Sequence, residues 1–127
     1  MSFAFDPQHH LIIVNTRVLG PIRNLRLRLA LDTGATRTLI NQSRLLRLGY
    51  DTSASEKQTQ ITTGSNIEFV TQVSLLKLQA LGQERDNFPV LCHNLPPSAS
   101  VDGLLGLDFF RGLNLNIDFR SGSITLV

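Results

Sequence analysis

Between Ile22 and Leu31 the chain alternates with unusual regularity. Leu25, Leu27, Leu29 and Leu31 share one face of an extended strand, and Asn24, Arg26, Arg28 and Ala30 share the other. A helical period of 3.6 residues would scatter the two sets, so this segment is a strand with one face in a core. The apolar, β-branched run from Leu11 to Leu19 reads as a second strand, and Gly20-Pro21 between them is a turn signal. The two strands therefore predict a hairpin.

The same extended character continues along the chain. Residues Ile61 to Gln79 are rich in Thr, Ile, Phe and Val around Thr63-Gly64-Ser65-Asn66, which predicts a hairpin with a glycine at its tip. A strand is expected over Phe88 to Cys92, then a loop through Leu95-Pro96-Pro97-Ser98-Ala99-Ser100. Leu113 to Phe119 and Ser123 to Val127, joined by Arg120-Ser121-Gly122, read as a closing hairpin. Helical spacing occurs in two short places. Leu45, Leu46 and Leu48 predict a helix from Asn41 to Leu48, with Asn41 as N-cap and Gly49 as stop, and Leu107 to Gly112 predicts one or two turns. Many short strands with two brief helices predict an all-β domain, a small closed or partly closed β-barrel.

A chain of 127 residues can bury one core, but not two lobes with a cleft between them. One domain over residues 1–127 is expected. With 42% hydrophobic and 17% charged residues it suits a compact fold rather than a disordered one. The formal charge is +2, and its densest basic cluster, Arg23, Arg26 and Arg28, reads as a solvated strand face. No longer basic run with interleaved aromatics points to nucleic acid. No stretch approaches the ~18 apolar residues of a membrane span. Met1 to Asp6 lacks a basic segment followed by an apolar one, so no secretory leader is expected and a cytoplasmic location is the default. Cys92 is the one cysteine and sits in an apolar run, as a small buried hydrophobe. His9, His10 and His93 show no metal-ligand spacing with it, so neither metal nor cofactor is expected.

The chemistry-bearing element follows the alternating strand directly: Leu29-Ala30-Leu31-Asp32-Thr33-Gly34-Ala35-Thr36. Asp and Gly are common turn residues, so the triplet alone is weak. An aspartate straight after an apolar strand, followed by small residues and Leu39-Ile40, is expected to be partly buried, which is costly unless function requires it. About 70 residues on stands Val101-Asp102-Gly103-Leu104-Leu105-Gly106, an apolar pair, then Gly, then a short helix.

Together with the Gly64 hairpin, these pieces resemble the retroviral-type aspartic proteases, whose members carry an apolar run into Asp-Thr-Gly-Ala, a glycine-bearing flap, and a later apolar-apolar-Gly segment. The resemblance spans roughly Leu11 to Val127. It implies an aspartic endopeptidase in which two Asp32 carboxyls share one proton, one activating water and the other protonating the leaving group. Because the chain holds a single Asp-Thr-Gly, the pair requires a second copy, and a two-fold axis would set the two aspartates face to face. The resemblance implies that Thr33 ties the two loops across that axis, that Gly34 permits close backbone approach, and that Leu104, Leu105 and Gly106 support the Asp32 loop. Thr63, Gly64 and Ser65 would close over an extended polypeptide substrate, and Ser123 to Val127 with Phe3 to Phe5 would interleave into a sheet shared by the protomers. Pepsin-like relatives often carry Ser at the position of Ala35, where a hydroxyl stabilises an ionised carboxylate. Alanine cannot, so an activity optimum around pH 5 to 6 is expected.

Many viral members place Arg after the apolar-apolar-Gly segment, whereas here Leu107 is followed by Asp108. Asp108 either bonds Thr36, Thr38 or Arg37 near the active loop or caps the following short helix. Two rival functions compete. Leu29 to Thr38 also resembles the phosphate-binding segment of sugar-kinase and actin-like ATPases, but those need two large lobes. A non-catalytic dimerisation or peptide-binding module on the same fold is the stronger rival.

Overall fold

A computed structural model describes residues 1–53, 58–63 and 66–127, with side chains except at residues 58, 59, 61–63, 66 and 68. The alternating segment forms β3 (Asn24–Leu31), which pairs antiparallel with β2 (Ile13–Leu19) in register Val14↔Leu29, Thr16↔Leu27, Val18↔Leu25. Leu27, Leu29 and Leu31 are buried and Arg26 and Arg28 exposed, as alternation requires. Ala30 departs from the expectation: it is buried on the opposite face, so β3 is covered on both sides as it approaches Asp32.

Next come β4 (Leu39–Asn41), helix α1 (Gln42–Leu48), β5 (Gln58–Thr63), β6 (Asn66–Ala80) and β7 (Gln83–His93). Strand β7 begins five residues before the expected Phe88, because Leu81 and Gly82 both take positive φ, at 51° and 73°, and fold β6 back onto β7 in a tight turn. The segment Gly103–Leu105 is β8, Leu107–Phe110 is a 3-10 helix, and β9 (Leu115–Asp118) and β10 (Ser123–Leu126) end the chain.

One sheet runs β2-β3-β8-β4-β7-β6-β5, and β2 also pairs with β6. Six strands thereby close into a barrel, and β5 stands outside it, held by β6 alone. Inside lie Leu29, Ile40, Leu45, Leu48, Leu75, Leu78, Val90, Leu105 and Phe109, none measurably exposed. Each contributes about 1.5–3 kcal/mol by leaving water. Helix α1 covers one barrel end through Leu45 and Leu48 and stops at Gly49, whose φ of 100° few other residues adopt. Asn41 occupies the N-cap position without making a cap bond; its side-chain oxygen instead accepts the Leu95 N–H at 3.4 Å, tying β4 to the loop after β7. No helix among the described residues is long and apolar enough to cross a membrane.

A second, three-stranded sheet has the order β1-β10-β9, where β1 is Ser2–Ala4. The closing hairpin is therefore present, and the chain start joins it, with Phe3 opposite Ile124. Strand β10 is paired on both sides within its own chain, so the open edges of this sheet belong to β1 and β9. Any ladder to a partner through β10 itself would need one of those strands to be displaced.

Candidate active site

Asp32 stands where three strands cross. Strand β3 ends at Leu31, the chain turns away, and β8 enters the gap between β3 and β4. Ala30 pairs in parallel with Leu104 and Leu31 with Leu105, while Leu39 and Ile40 of β4 pair antiparallel with Leu104 and Gly103. The Asp32 N–H donates to the Leu105 carbonyl at 3.0 Å, so β8 carries the start of the Asp32 loop. This crossing tolerates no side chain at Gly103, where a Cβ would lie 2.0 Å from the Leu39 carbonyl oxygen. At Gly106 a Cβ would meet Arg37 and Ala35 backbone atoms at 2.7 and 2.8 Å.

The loop itself is a tight turn. Gly34 N–H donates to Asp32 Oδ1 at 2.9 Å, and Ala35 N–H to the Asp32 carbonyl at 3.1 Å. A Cβ on Gly34 would come within 3.2 Å of that same Oδ1. Asp32 is half-buried, Thr33 and Gly34 are exposed, and Ala35 is half-buried. Thr33 and Gly34 are thus the exposed part of the loop, with Asp32 beside them. The Leu107 N–H donates to the Ala35 carbonyl at 2.8 Å, so the segment after β8 closes the loop's far side.

Beneath the loop is a buried polar cluster. Thr38, fully buried, donates its hydroxyl to Asp108 Oδ1 at 2.7 Å and its backbone N–H to both Asp108 oxygens at 3.0 Å. The Gly106 N–H donates to the Thr38 hydroxyl at 3.1 Å. Of the two roles open to Asp108, the tie to the active loop is the one taken; Gly106 holds the N-cap position of the 3-10 helix. Arg85 of β7 finishes that helix, lying 5.7 Å over the Phe109 ring and donating to the Phe109 and Arg111 carbonyls at 2.7 Å. A second clamp sits at the other end of β8. Asp102 accepts from the Arg28 N–H at 2.9 Å and pairs with Arg44 of α1 at 2.9 Å.

Thr38 was one of three partners the sequence offered Asp108, and it is the one taken, whereas Gly103, Asp102 and Arg85 were not legible as supports from the sequence. The choice of Thr38 over Thr36 and Arg37 follows from its full burial beneath the loop, 70 residues before its partner. The hairpin β5–β6 is paired to its last described residues, Thr63 opposite Asn66. Gly64 and Ser65, expected at its tip, lie outside the described residues. Beyond the barrel, Ile67 and Phe69 on β6 leave exposed apolar surface. Cys92 is buried, and burial raises its thiol pKa above the ordinary value. Among the described residues no three His, Cys, Asp or Glu side chains group as metal ligands.

A family model described as aspartyl protease matches residues 16–109, a span from β2 through the 3-10 helix that takes in the whole crossing. The chain belongs to this family. No curated protein matches it. Solved structures show the same fold at low identity. A retropepsin-like aspartic protease from Rickettsia conorii aligns with a TM-score of 0.73 at 18% identity, over 99% of this chain and 88% of its own. The retroviral protease-like domain of Ddi1 from Leishmania major aligns with a TM-score of 0.62 at 14% identity, over 94% of this chain and 90% of its own. The fold is therefore the one these retropepsin-like structures share, a closed barrel with two brief helices.

Proposed function

We propose that the chain is an aspartic endopeptidase, active as a homodimer in which each protomer supplies one Asp32. One observation carries the reading: in a chain of the aspartyl protease family, a lone Asp-Thr-Gly caps the three-strand crossing with Asp32 half-buried and Thr33 exposed. Two such loops meeting on a two-fold axis bring two carboxyls together, and close like charges share a single proton. The ionised carboxyl takes a proton from water as its oxygen adds to the peptide carbonyl carbon. The protonated carboxyl gives its proton to the carbonyl oxygen. On collapse, the carboxyl that took the water proton passes it to the nitrogen, the other recovers a proton from the diol, and the C–N bond breaks to an amine and a carboxylic acid. The Gly34 N–H to Asp32 bond fixes one carboxyl oxygen. Thr33 links the two loops, and Thr63, Gly64 and Ser65 close over an extended substrate, excluding solvent and engaging its backbone.

Digestion of a peptide library from pH 3 to pH 7 tests this, with sedimentation run alongside. Expected are a dimer, cleavage with an optimum around pH 5 to 6, and a loss of at least a hundredfold in Asp32→Asn. Steady activity at pH 3 with none at pH 6 would overturn the expected optimum. If wild type and Asp32→Asn bind peptides alike and neither cleaves, the fold serves as a binding module instead.

A further inference from the structure

Beside the Asp32 loop lies a cavity of about 300 Å³ whose walls are Leu39, Leu91 and Leu104, with Thr36 and Arg37 on its loop side. Gly34 and Ala35, on the same loop as the catalytic carboxyl, complete it. A larger cavity of about 440 Å³ opens over Phe69, Thr71 and Cys92, but no residue of the Asp32 loop lines it. The smaller cavity is the one that a side chain of a peptide lying across Asp32 would enter.

Its electrical character is set by Arg37. The Thr38 side chain is tied to Asp108, whereas Arg37, next to it in the chain, lines the cavity. Arg37 Nη2 donates to the side-chain oxygen of Gln72 on β6 at 2.8 Å. That bond holds the guanidinium in place, yet glutamine is neutral and leaves its charge uncompensated. Among the described residues, no carboxylate forms an ion pair with Arg37 and none lines the cavity. Of the carboxyls on the adjoining elements, Asp108 is held by Thr38 and Asp32 has one oxygen bonded to the Gly34 N–H, and neither forms an ion pair with Arg37.

A leucine-walled pocket with a fixed, unneutralised guanidinium at its mouth suits a side chain that is apolar along its stem and anionic at its end. Arginine presents a planar fork that matches a carboxylate in two parallel bonds. We infer that Arg37 makes this site select substrates with an acidic residue, glutamate above all, in the pocket beside Asp32, and reject lysine or arginine there. The inference rests on the endopeptidase reading above. In a two-fold dimer each protomer supplies one such pocket, so the preference repeats on both sides of the scissile bond.

The test is kcat/KM on matched peptides bearing Glu, Gln or Lys at each position flanking the scissile bond. For the wild type, Glu is expected to exceed Gln by about tenfold at pH 6 and low salt, the size of one charge-assisted hydrogen bond, and Lys to fall below both. Two readouts need no variant: the Glu preference should shrink in 0.5 M salt, and below about pH 4.3 as the substrate carboxyl takes up its proton. Arg37→Gln should erase the preference and Arg37→Glu should turn it toward Lys, each variant checked for an unchanged melt. Cleavage blind to substrate charge, or a Glu preference that survives Arg37→Glu and high salt, would overturn this inference while leaving the protease reading intact. No cleavage of any peptide by the wild type would overturn both.

Discussion

The two ends of the molecule are built on different principles. At the Asp32 crossing the contacts are short, polar and directional: Asp108 to Thr38, Thr38 to Gly106, Asp32 to Gly34, Asp102 to Arg28 and Arg44. Backbones approach so closely there that two glycines have no room for a methyl group. The terminal sheet is held instead by ladder bonds and by buried Ile124 and Leu126, with Phe5 and Phe119 meeting edge to face at 5.8 Å. It keeps two open strand edges and leaves Phe119 and Val127 exposed. A site that must hold one carboxyl in one place needs over-determined geometry. A surface that is to join a partner needs open edges and apolar area.

The sharpest way to break the comparison is at Gly103. Gly103→Ala puts a methyl carbon 2.0 Å from a carbonyl oxygen that belongs to the barrel itself, so the crossing must open. A loss of about 3 kcal/mol or more in urea melts is expected, with little soluble protein. A variant as stable as wild type would show that β8 is not wedged as described.

Removing Thr125 to Val127 attacks the other end. The cut takes buried Leu126 and the pairings of Thr125 and Leu126 to β1 and β9, while leaving the barrel strands whole. Inactive but folded monomers are expected by sedimentation, circular dichroism and peptide digestion. An active dimer after this deletion would sink the role of the terminal sheet in assembly.

Asp108→Ala tests the polar support beneath the loop. It leaves the buried Thr38 N–H without its partner and costs about 2–3 kcal/mol. Activity should fall further than stability alone explains, because Thr38 also holds Gly106 under the Asp32 loop. Peptide cleavage well below the melting temperature separates the two effects.

The smallest effect is expected in the turn between β9 and β10. Asp118 accepts from the Ser121 and Arg120 N–H groups at 3.1 and 2.8 Å, and these bonds hold its carboxyl below the usual carboxylate range. A depressed folded-state value means the stabilisation is present above the unfolded value, near 3.9, and is lost as pH falls through the folded one. Asp118→Ala should therefore lower the melting temperature slightly at pH 6 to 7, and the gap to wild type should narrow progressively as pH falls below about 4. A gap that does not narrow as pH falls below the ordinary carboxyl value would point to lost packing rather than lost charge.

Most of the strands and the first hairpin were legible in the sequence because alternation and turn residues are local signals. The inward leucines of β3, the stop at Gly49 and the closing hairpin of β9 and β10 follow from neighbours a few residues apart. The early start of β7 was not legible, since it hangs on positive φ at Leu81, which leucine rarely adopts. Asn41 was legible as a position but not as a bond, because its partner, the Leu95 N–H, comes from a distant loop.

The sequence by itself determined that this is a small all-β chain with one Asp-Thr-Gly on the end of an apolar strand. Tertiary structure alone decided what supports that triplet. It inserted β8 between β3 and β4, turned Asp108 to Thr38 rather than to a helix cap, and set Arg37 beside Gln72 at the mouth of a leucine pocket. The physical reason is the same throughout. Periodicity is written in neighbouring residues, whereas a buried hydrogen bond between residues 70 apart exists only once the barrel has closed.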